Sequence, residues 1–141
     1  MTWMIYGTYG FTGRLIVEEA LRRGHRPILA GRDLGKLQRL SDELGLPFRR
    51  VDLNNSAALR EAIGDCKLVL NTAGPFAKTS AKLIESCLRV GCHYADIAGE
   101  LSHIRRLQSL DKRARKRGIA ILTGAGFGVT FGECLAHLVL A

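Results

Sequence analysis

The stretch Gly7-Thr8-Tyr9-Gly10-Phe11-Thr12-Gly13 sets three glycines three residues apart, after the apolar run Trp3 to Tyr6 and before a helical pattern. The chemistry open to such a stretch is anion binding. Main-chain N–H groups at the start of a helix point at one spot, and the helix dipole adds positive potential there. The glycines serve different ends. Gly7 allows the tight turn, Gly10 allows close approach of the backbone to a pyrophosphate, and Gly13 allows the helix to pack on the sheet. A tight turn with no ligand also favours glycine, so the surroundings decide. A strand before, an amphipathic helix after and a complete βαβ unit point to dinucleotide binding.

The choice of dinucleotide is read about 20 residues further on, where an Asp or Glu at the end of the second strand would accept from an NAD ribose. This chain has Gly31-Arg32 there. A guanidinium leaves a bare ribose without an acceptor but pairs bidentately with a 2′-phosphate, and Lys36 adds a second cation, so the expected cofactor is NADP(H). The alternatives are that Arg32 is only a surface charge and that Asp33 serves a ribose. Asp52 and Leu53, after the third strand, are expected beside the adenine, with Asp52 accepting from its amino group or capping the next turn. Asn71-Thr72-Ala73-Gly74-Pro75-Phe76 follows the fourth strand, and its small residues let the middle of the cofactor lie against backbone.

These loops need strands and helices to hold them. Residues Phe11 to Arg23 put Gly13, Ile16, Val17, Ala20 and Leu21 on one helical face, with Arg14, Glu18 and Arg22 as an i, i+4 charge ladder opposite. The segments "RPILAG", "PFRRVDL", "KLVLNTAGPF", "CHYADIAG" and "IAILTGAG" read as further strands. Helical patterns separate them, one through Leu34, Leu37, Leu40 and Leu44, one capped by Asn55 or Ser56, and one burying Leu83, Ile84, Cys87 and Leu88. Strands alternating with helices at this interval run parallel, which predicts an α/β fold: a Rossmann-type, doubly wound parallel sheet of about six strands with helices on both faces, in the order 3-2-1-4-5-6. Residues 1–130 are expected to form this dinucleotide-binding domain. Residues 131–141, with Phe131, Cys134, Leu135 and Leu138 on one face, are expected to begin a helix leading to a second domain.

Bulk properties agree. The chain has 141 residues, 47% of them hydrophobic, and three prolines, which argues against disorder. No apolar run approaches the roughly 18 residues of a membrane span, and "MTWMIYG" lacks a secretory signal, so the cytosol is the expected compartment. Cys66, Cys87, Cys92 and Cys134 form no C-x-x-C pair, and the histidines lack metal-ligand spacing, so no metal is expected and the thiols read as core or near-core residues. The net charge is +8. Much of it lies in "SHIRRLQSLDKRARKRG", through Arg105, Arg106, Lys112, Arg113, Arg115, Lys116 and Arg117. That segment reads as one amphipathic helix capped by Ser102, whose cationic last turn is stabilised by its own dipole.

Taken together, "YGTYGFTGRL", "ILAGRDLGKL", "NTAGPF", "GCHYADIAGE" and "GAGF" resemble the N-terminal NADP-binding domain of the saccharopine dehydrogenase-like oxidoreductases, including the trans-acting enoyl reductases. The resemblance covers nearly the whole chain and keeps the family's order of motifs. It implies a larger protein in which a second domain completes the small-molecule substrate site and hydride passes between NADP(H) and a carbon centre. It carries a cofactor role onto Gly7, Gly10, Phe11, Thr12, Gly13, Arg32 and the loop Asn71 to Phe76. Two departures stand out: Thr8-Tyr9 replaces the family's small Ala-Thr, and Gly128, Thr130 and Phe131 follow "GAGF" where the family has Asp and a Pro-containing turn. A tyrosine at position 9 must point outward or cover the pyrophosphate.

The polar cluster near this edge is His93-Tyr94-x-Asp96 with Glu100. Strand alternation sends Tyr94 and Asp96 to one face and His93 to the other. Tyr94, Asp96 and Glu100 are the substrate-side candidates, against the reading that they bond loop backbone or cap a helix. Three functions follow: the NADP(H) half of an oxidoreductase, a redox sensor that binds NADP(H) without turnover, and a basic nucleic-acid module. The last lacks aromatic interleaving and any groove-reading motif, so no nucleic acid is expected as partner. A homodimer is compatible with the sequence.

Overall fold

Strand and helix alternate from Trp3 onward because short apolar runs are each followed by a turn and a stripe of leucines. The computed structural model describes residues 1–140. Its elements are β1 Trp3–Tyr6, α1 Phe11–Arg22, β2 Ile28–Gly31, α2 Leu34–Leu44, β3 Phe48–Arg50, α3 Ser56–Ile63 and β4 Leu68–Asn71. They continue with α4 Phe76–Val90, β5 His93–Asp96, α5 Leu101–Gln108, α6 Asp111–Arg117, β6 Ile121–Leu122 and α7 Phe127–Leu140. The strands form one sheet in the order β3-β2-β1-β4-β5-β6, every pair parallel, as the alternation predicts.

Side chains alternate across the sheet, so β1 sends Ile5 to one face and Met4 and Tyr6 to the other. Ile5 joins Val17, Leu29, Leu37, Leu40 and Leu46 under α1 and α2. Met4 and Tyr6 join Val69, Leu59, Ile63, Leu83, Ile84 and Tyr94 under α3 and α4. Truncating one such side chain, for example Leu37→Ala, costs about 2–5 kcal/mol. Register then aligns one row at the carboxyl edge: Ala30 beside Tyr6, Tyr6 beside Asn71, Asn71 beside Asp96. The connections from β1 and β4 leave this row in opposite directions, which opens a crevice between them.

Four details differ from the sequence reading. The basic segment is two helices, broken where Ser109 and Leu110 turn back with bonds to the carbonyls of Arg106 and Leu107 and Leu110 packs against the core. Ser102 lies inside α5, and Glu100 holds the N-cap position without a side-chain cap. Cys66, Cys87 and Cys92 are buried, but Cys134 is exposed on α7, a helix with no buried residue. Arg14 pairs with Glu18 at 2.8 Å, as the ladder requires, whereas Arg22 turns to Glu19 at 2.6 Å. The cations of α6 find local partners: Arg113 bonds Glu85, Arg115 bonds Asp111, and Arg117 donates to the last carbonyls of α4 at Leu88 and Arg89. Among the described residues, no helix is long and apolar enough to cross a membrane and no cluster is fit to hold a metal.

Candidate cofactor site

Each glycine of the first turn has a different environment. Gly7 has φ +96°, and a Cβ there would lie 2.9 Å from the main-chain nitrogen of Ala73. Gly13 is buried, and a Cβ there would lie 2.2 Å from the Gly7 carbonyl oxygen, so this glycine lets α1 pack on the turn. Gly10 is exposed, and its Cβ would meet only the Gly7 carbonyl oxygen, at 3.3 Å. The bare face of Gly10 is the one that a ligand's backbone-hugging phosphate needs. Gly7 and Thr8 donate to the Ala30 carbonyl, at 2.8 and 3.4 Å, tying the turn to β2.

Side-chain caps close two of the helix starts, and α5 and α6, away from the cleft, have none. Asp33 caps α2 by accepting from the Lys36 N–H at 3.0 Å, and Asn55 caps α3 by accepting from the Ala58 N–H at 3.0 Å. The helices that border the crevice, α1 and α4, have no side-chain cap and no acidic residue in the first turn. The Lys78 N–H turns back to the Pro75 carbonyl at 3.0 Å, while the N–H groups of Phe11, Thr12 and Gly13 in α1 and of Phe76 and Ala77 in α4 stay available to an anion.

Between these starts lies a cleft of about 610 Å³. Of the residues picked out from sequence, Gly7, Tyr9, Gly10, Arg32, Asp52, Leu53, Thr72, Ala73, Gly74 and Pro75 line it. The others fall outside. Thr8 is buried beneath the turn, Gly13 is packed in the helix, and Thr12 and Phe11 are exposed on the outer side of α1. Lys36 stands 5.6 Å over the Tyr9 ring, Asn71 is buried below the loop, and Phe76 lies against the His103 ring at 6.3 Å. Asp52 caps the following turn, accepting from the Asn54 N–H at 2.9 Å, and Asp33 has its carboxylate engaged at α2. The Arg32 guanidinium, by contrast, has no acceptor among the described residues and is exposed at the mouth.

Sequence reasoning missed Tyr6, Gly31, Asn54, Lys78, Thr79 and Lys82, which also line the cleft. Lys78, Thr79 and Lys82 share one face of α4 at helical spacing, a signal visible in "FAKTSAKL" once that helix is known to border the cleft. Lys82 reaches across to the Asn54 side-chain oxygen at 2.5 Å, closing the far end. Burial pushes the Tyr6 phenol up to about 12, so it stays protonated. A groove of about 650 Å³ runs between α5–α6 and β6, but apolar side chains such as Ile104, Leu107 and Ile119 dominate it. Volume does not distinguish the two; the glycine turn and the cations Arg32, Lys78 and Lys82, all lining the first, do.

The β5 candidates occupy the interior. Tyr94 and Asp96 are 1% and 0% exposed. Asp96 accepts from Tyr94 at 2.9 Å, pairs with His103 Nε2 at 2.7 Å, and accepts from Thr123 at 2.6 Å and the Ala98 N–H at 3.1 Å. Burial, with the Asp96 charge beside it, holds the Tyr94 phenol well above its ordinary range, so it remains a donor. Asn71 donates to Tyr94 at 3.1 Å and accepts from the Ala73 N–H at 3.0 Å, while Thr79 donates to the Ala73 carbonyl at 2.7 Å. Tyr94 and Asp96 thus lie buried beneath the loop 71–76 and hold it through Asn71. Glu100 is exposed at the start of α5.

Comparison with known proteins agrees with this geometry. Residues 3–122 match the saccharopine dehydrogenase NADP-binding domain. The chain is 32% identical over 132 residues to the trans-acting enoyl reductase of Mycobacterium ulcerans, covering 88% of this chain and 32% of that one. It is 28% identical over 144 residues to the human (Homo sapiens) saccharopine dehydrogenase-like oxidoreductase, covering 88% of this chain and 34% of that one. The fold superposes on saccharopine dehydrogenase (L-Glu forming) from Saccharomyces cerevisiae with a TM-score of 0.77 at 19% identity, over 91% of this chain and 28% of that one. The chain spans about a third of the length of the curated relatives it matches. A parallel sheet in dinucleotide-binding order, a glycine turn open at Gly10 and a family match over most of the sequence converge: the chain belongs to the saccharopine dehydrogenase NADP-binding domain family, whose cofactor is NADP(H).

Proposed function

We propose that this chain is the NADP(H)-holding part of an oxidoreductase that passes hydride to or from a carbon centre of a small molecule, with a second domain completing the substrate site. The observation that carries it is the convergence, in one cleft, of two uncapped helix starts, the bare face of Gly10 and an unengaged Arg32. When bound, the cofactor supplies the hydride donor or acceptor carbon. The N–H groups of the first turn of α1 hold the pyrophosphate against Gly10, and Arg32 pairs with the 2′-phosphate. Leu53 and the capped turn at Asp52 flank the adenine. Thr72, Ala73, Gly74 and Pro75 line the path to the nicotinamide, kept in place by Asn71 and Thr79. Glu100 is the remaining substrate-side candidate, because its side chain is in solvent. The free thiols support a reducing cytosol as the compartment.

Arg32→Glu tests the reading. It is expected to weaken NADPH by roughly 100-fold, since a charge-assisted pair becomes a repulsion, and NADH by less than about 3-fold. Equal losses for both cofactors would show that Arg32 does not read the 2′-phosphate. In the protein as expressed with its full substrate region, deuterium at the nicotinamide carbon should appear in product; binding with no transfer to any substrate would leave a sensor.

A further inference from the structure

Tyr9 sits between the first two glycines of the turn and lies half-buried along the wall of the cleft. Its ring rests on Gly31 so closely that a Cβ at Gly31 would be 2.5 Å from the ring edge. The Lys36 ammonium stands over the ring, 5.6 Å from its centre. Two successive main-chain N–H groups, those of Arg32 and Asp33, donate to the phenol oxygen at 3.2 and 3.3 Å. The side chain is therefore fixed at its base, its face and its tip.

A phenol oxygen accepts at most two hydrogen bonds and donates one. Here both acceptor positions are taken, so the remaining valence is the O–H proton. No described residue accepts it. The nearest carboxylate in sequence, Asp33, already accepts from the Lys36 N–H as the cap of α2. The proton is thus left free beside the main-chain N–H of Arg32, on a ring that also carries the Lys36 ammonium over its face, where a group with several acceptor oxygens would complete the set.

We infer that Tyr9 is a cofactor-specificity residue, which donates its phenolic proton to the 2′-phosphate of NADP(H) alongside Arg32. This rests on the reading of the cleft as a dinucleotide site. A 2′-phosphate offers acceptor oxygens and negative charge; the 2′-hydroxyl of NAD(H) offers neither the charge nor the need for a third donor. Tyr9 therefore discriminates between the two cofactors, and the departure from a smaller residue at this position supplies the reach.

Tyr9→Phe keeps the ring on Gly31 and removes only the hydroxyl. Titrations by calorimetry with NADPH, NADH, adenosine 2′,5′-bisphosphate and adenosine 5′-monophosphate separate the phosphate from the rest of the ligand. The variant is expected to lose about 10-fold for NADPH and for the bisphosphate, and less than about 2-fold for NADH and the monophosphate. Unchanged or equal losses across all four overturn the proposal. Tighter binding of NADPH overturns it too, because the hydroxyl would then be competing with the phosphate for the N–H groups of residues 32 and 33. If the unaltered protein binds none of the four, the dinucleotide reading itself fails and takes this proposal with it.

Discussion

On one side of the sheet's carboxyl edge, the first turn of α1 leaves the N–H groups of Phe11, Thr12 and Gly13 open, Gly10 shows a bare Cα, and the Arg32 guanidinium past β2 has nothing internal to bind. On the other side, Tyr94 and Asp96 of β5 meet His103 of α5 and Thr123 just past β6, with their bonds already made to one another. Among the described residues, no buried side-chain nitrogen or oxygen lacks a partner. The two halves lie one strand apart, joined by Asn71, which pairs in register with Tyr6 on one side and Asp96 on the other. The difference teaches that a ligand site and its foundation need opposite chemistry. The first must leave polar groups unsatisfied at the surface; the second must satisfy every one of them in the interior.

Breaking the foundation should cost the most in stability. Asp96→Ala leaves Tyr94, His103 and Thr123 facing a void, and is expected to lower unfolding free energy by about 3–5 kcal/mol in a denaturant titration. A loss below about 1 kcal/mol would mean that the β5 network does not hold the fold. Breaking the open half should do the reverse. Gly10 has φ −77° and ψ 160°, which any residue adopts, so Gly10→Val is expected to change stability by less than about 1 kcal/mol. Its branched side chain fills the face left for a pyrophosphate, so affinity for both NADPH and NADH should fall by roughly 100-fold or more. Undiminished affinity would rule out close approach at Gly10.

The smallest effect sharpens the contrast between a buried pair and an exposed one. Arg49 holds Asp65 bidentately, at 2.6 and 2.8 Å, and lowers its carboxyl from 3.8 to about 2. A depressed folded-state value means that this contribution is complete above pH about 4 and is lost as pH falls toward 2. Asp65 is 58% exposed, so the loss should stay below about 1 kcal/mol and should vanish in Asp65→Asn, read as the acid limb of stability against pH.

The alternation of apolar runs with leucine stripes made the strand order legible, because parallel strands with right-handed crossovers leave few arrangements. The positions of the glycine turn at the start of α1 and of Arg32 just past β2 were legible for a different reason: each is a local feature of the chain. What stayed hidden depends on contacts between distant segments. Nothing local in "LQSLDKRA" marks a break, since the chain turns there when Leu110 reaches the core. His103 meets Asp96 because α5 folds back over β5, and that pairing joins residues far apart in the sequence into one buried network with Tyr94. Lys78, Thr79 and Lys82 read as an ordinary helix surface until α4 is placed beside the cleft. The direction of Tyr9 was open in the sequence, and Gly31 settles it by having no side chain.

That last contact restricts the order in which changes at these two positions can accumulate. A methyl group at residue 31 and a large ring at residue 9 claim the same volume, so Gly31→Ala alone evicts the ring, whereas the same change after position 9 has become small meets no obstacle. The two positions are therefore coupled: what residue 31 tolerates depends on where the side chain at 9 lies, and an added methyl is accommodated only when that ring swings away or is smaller.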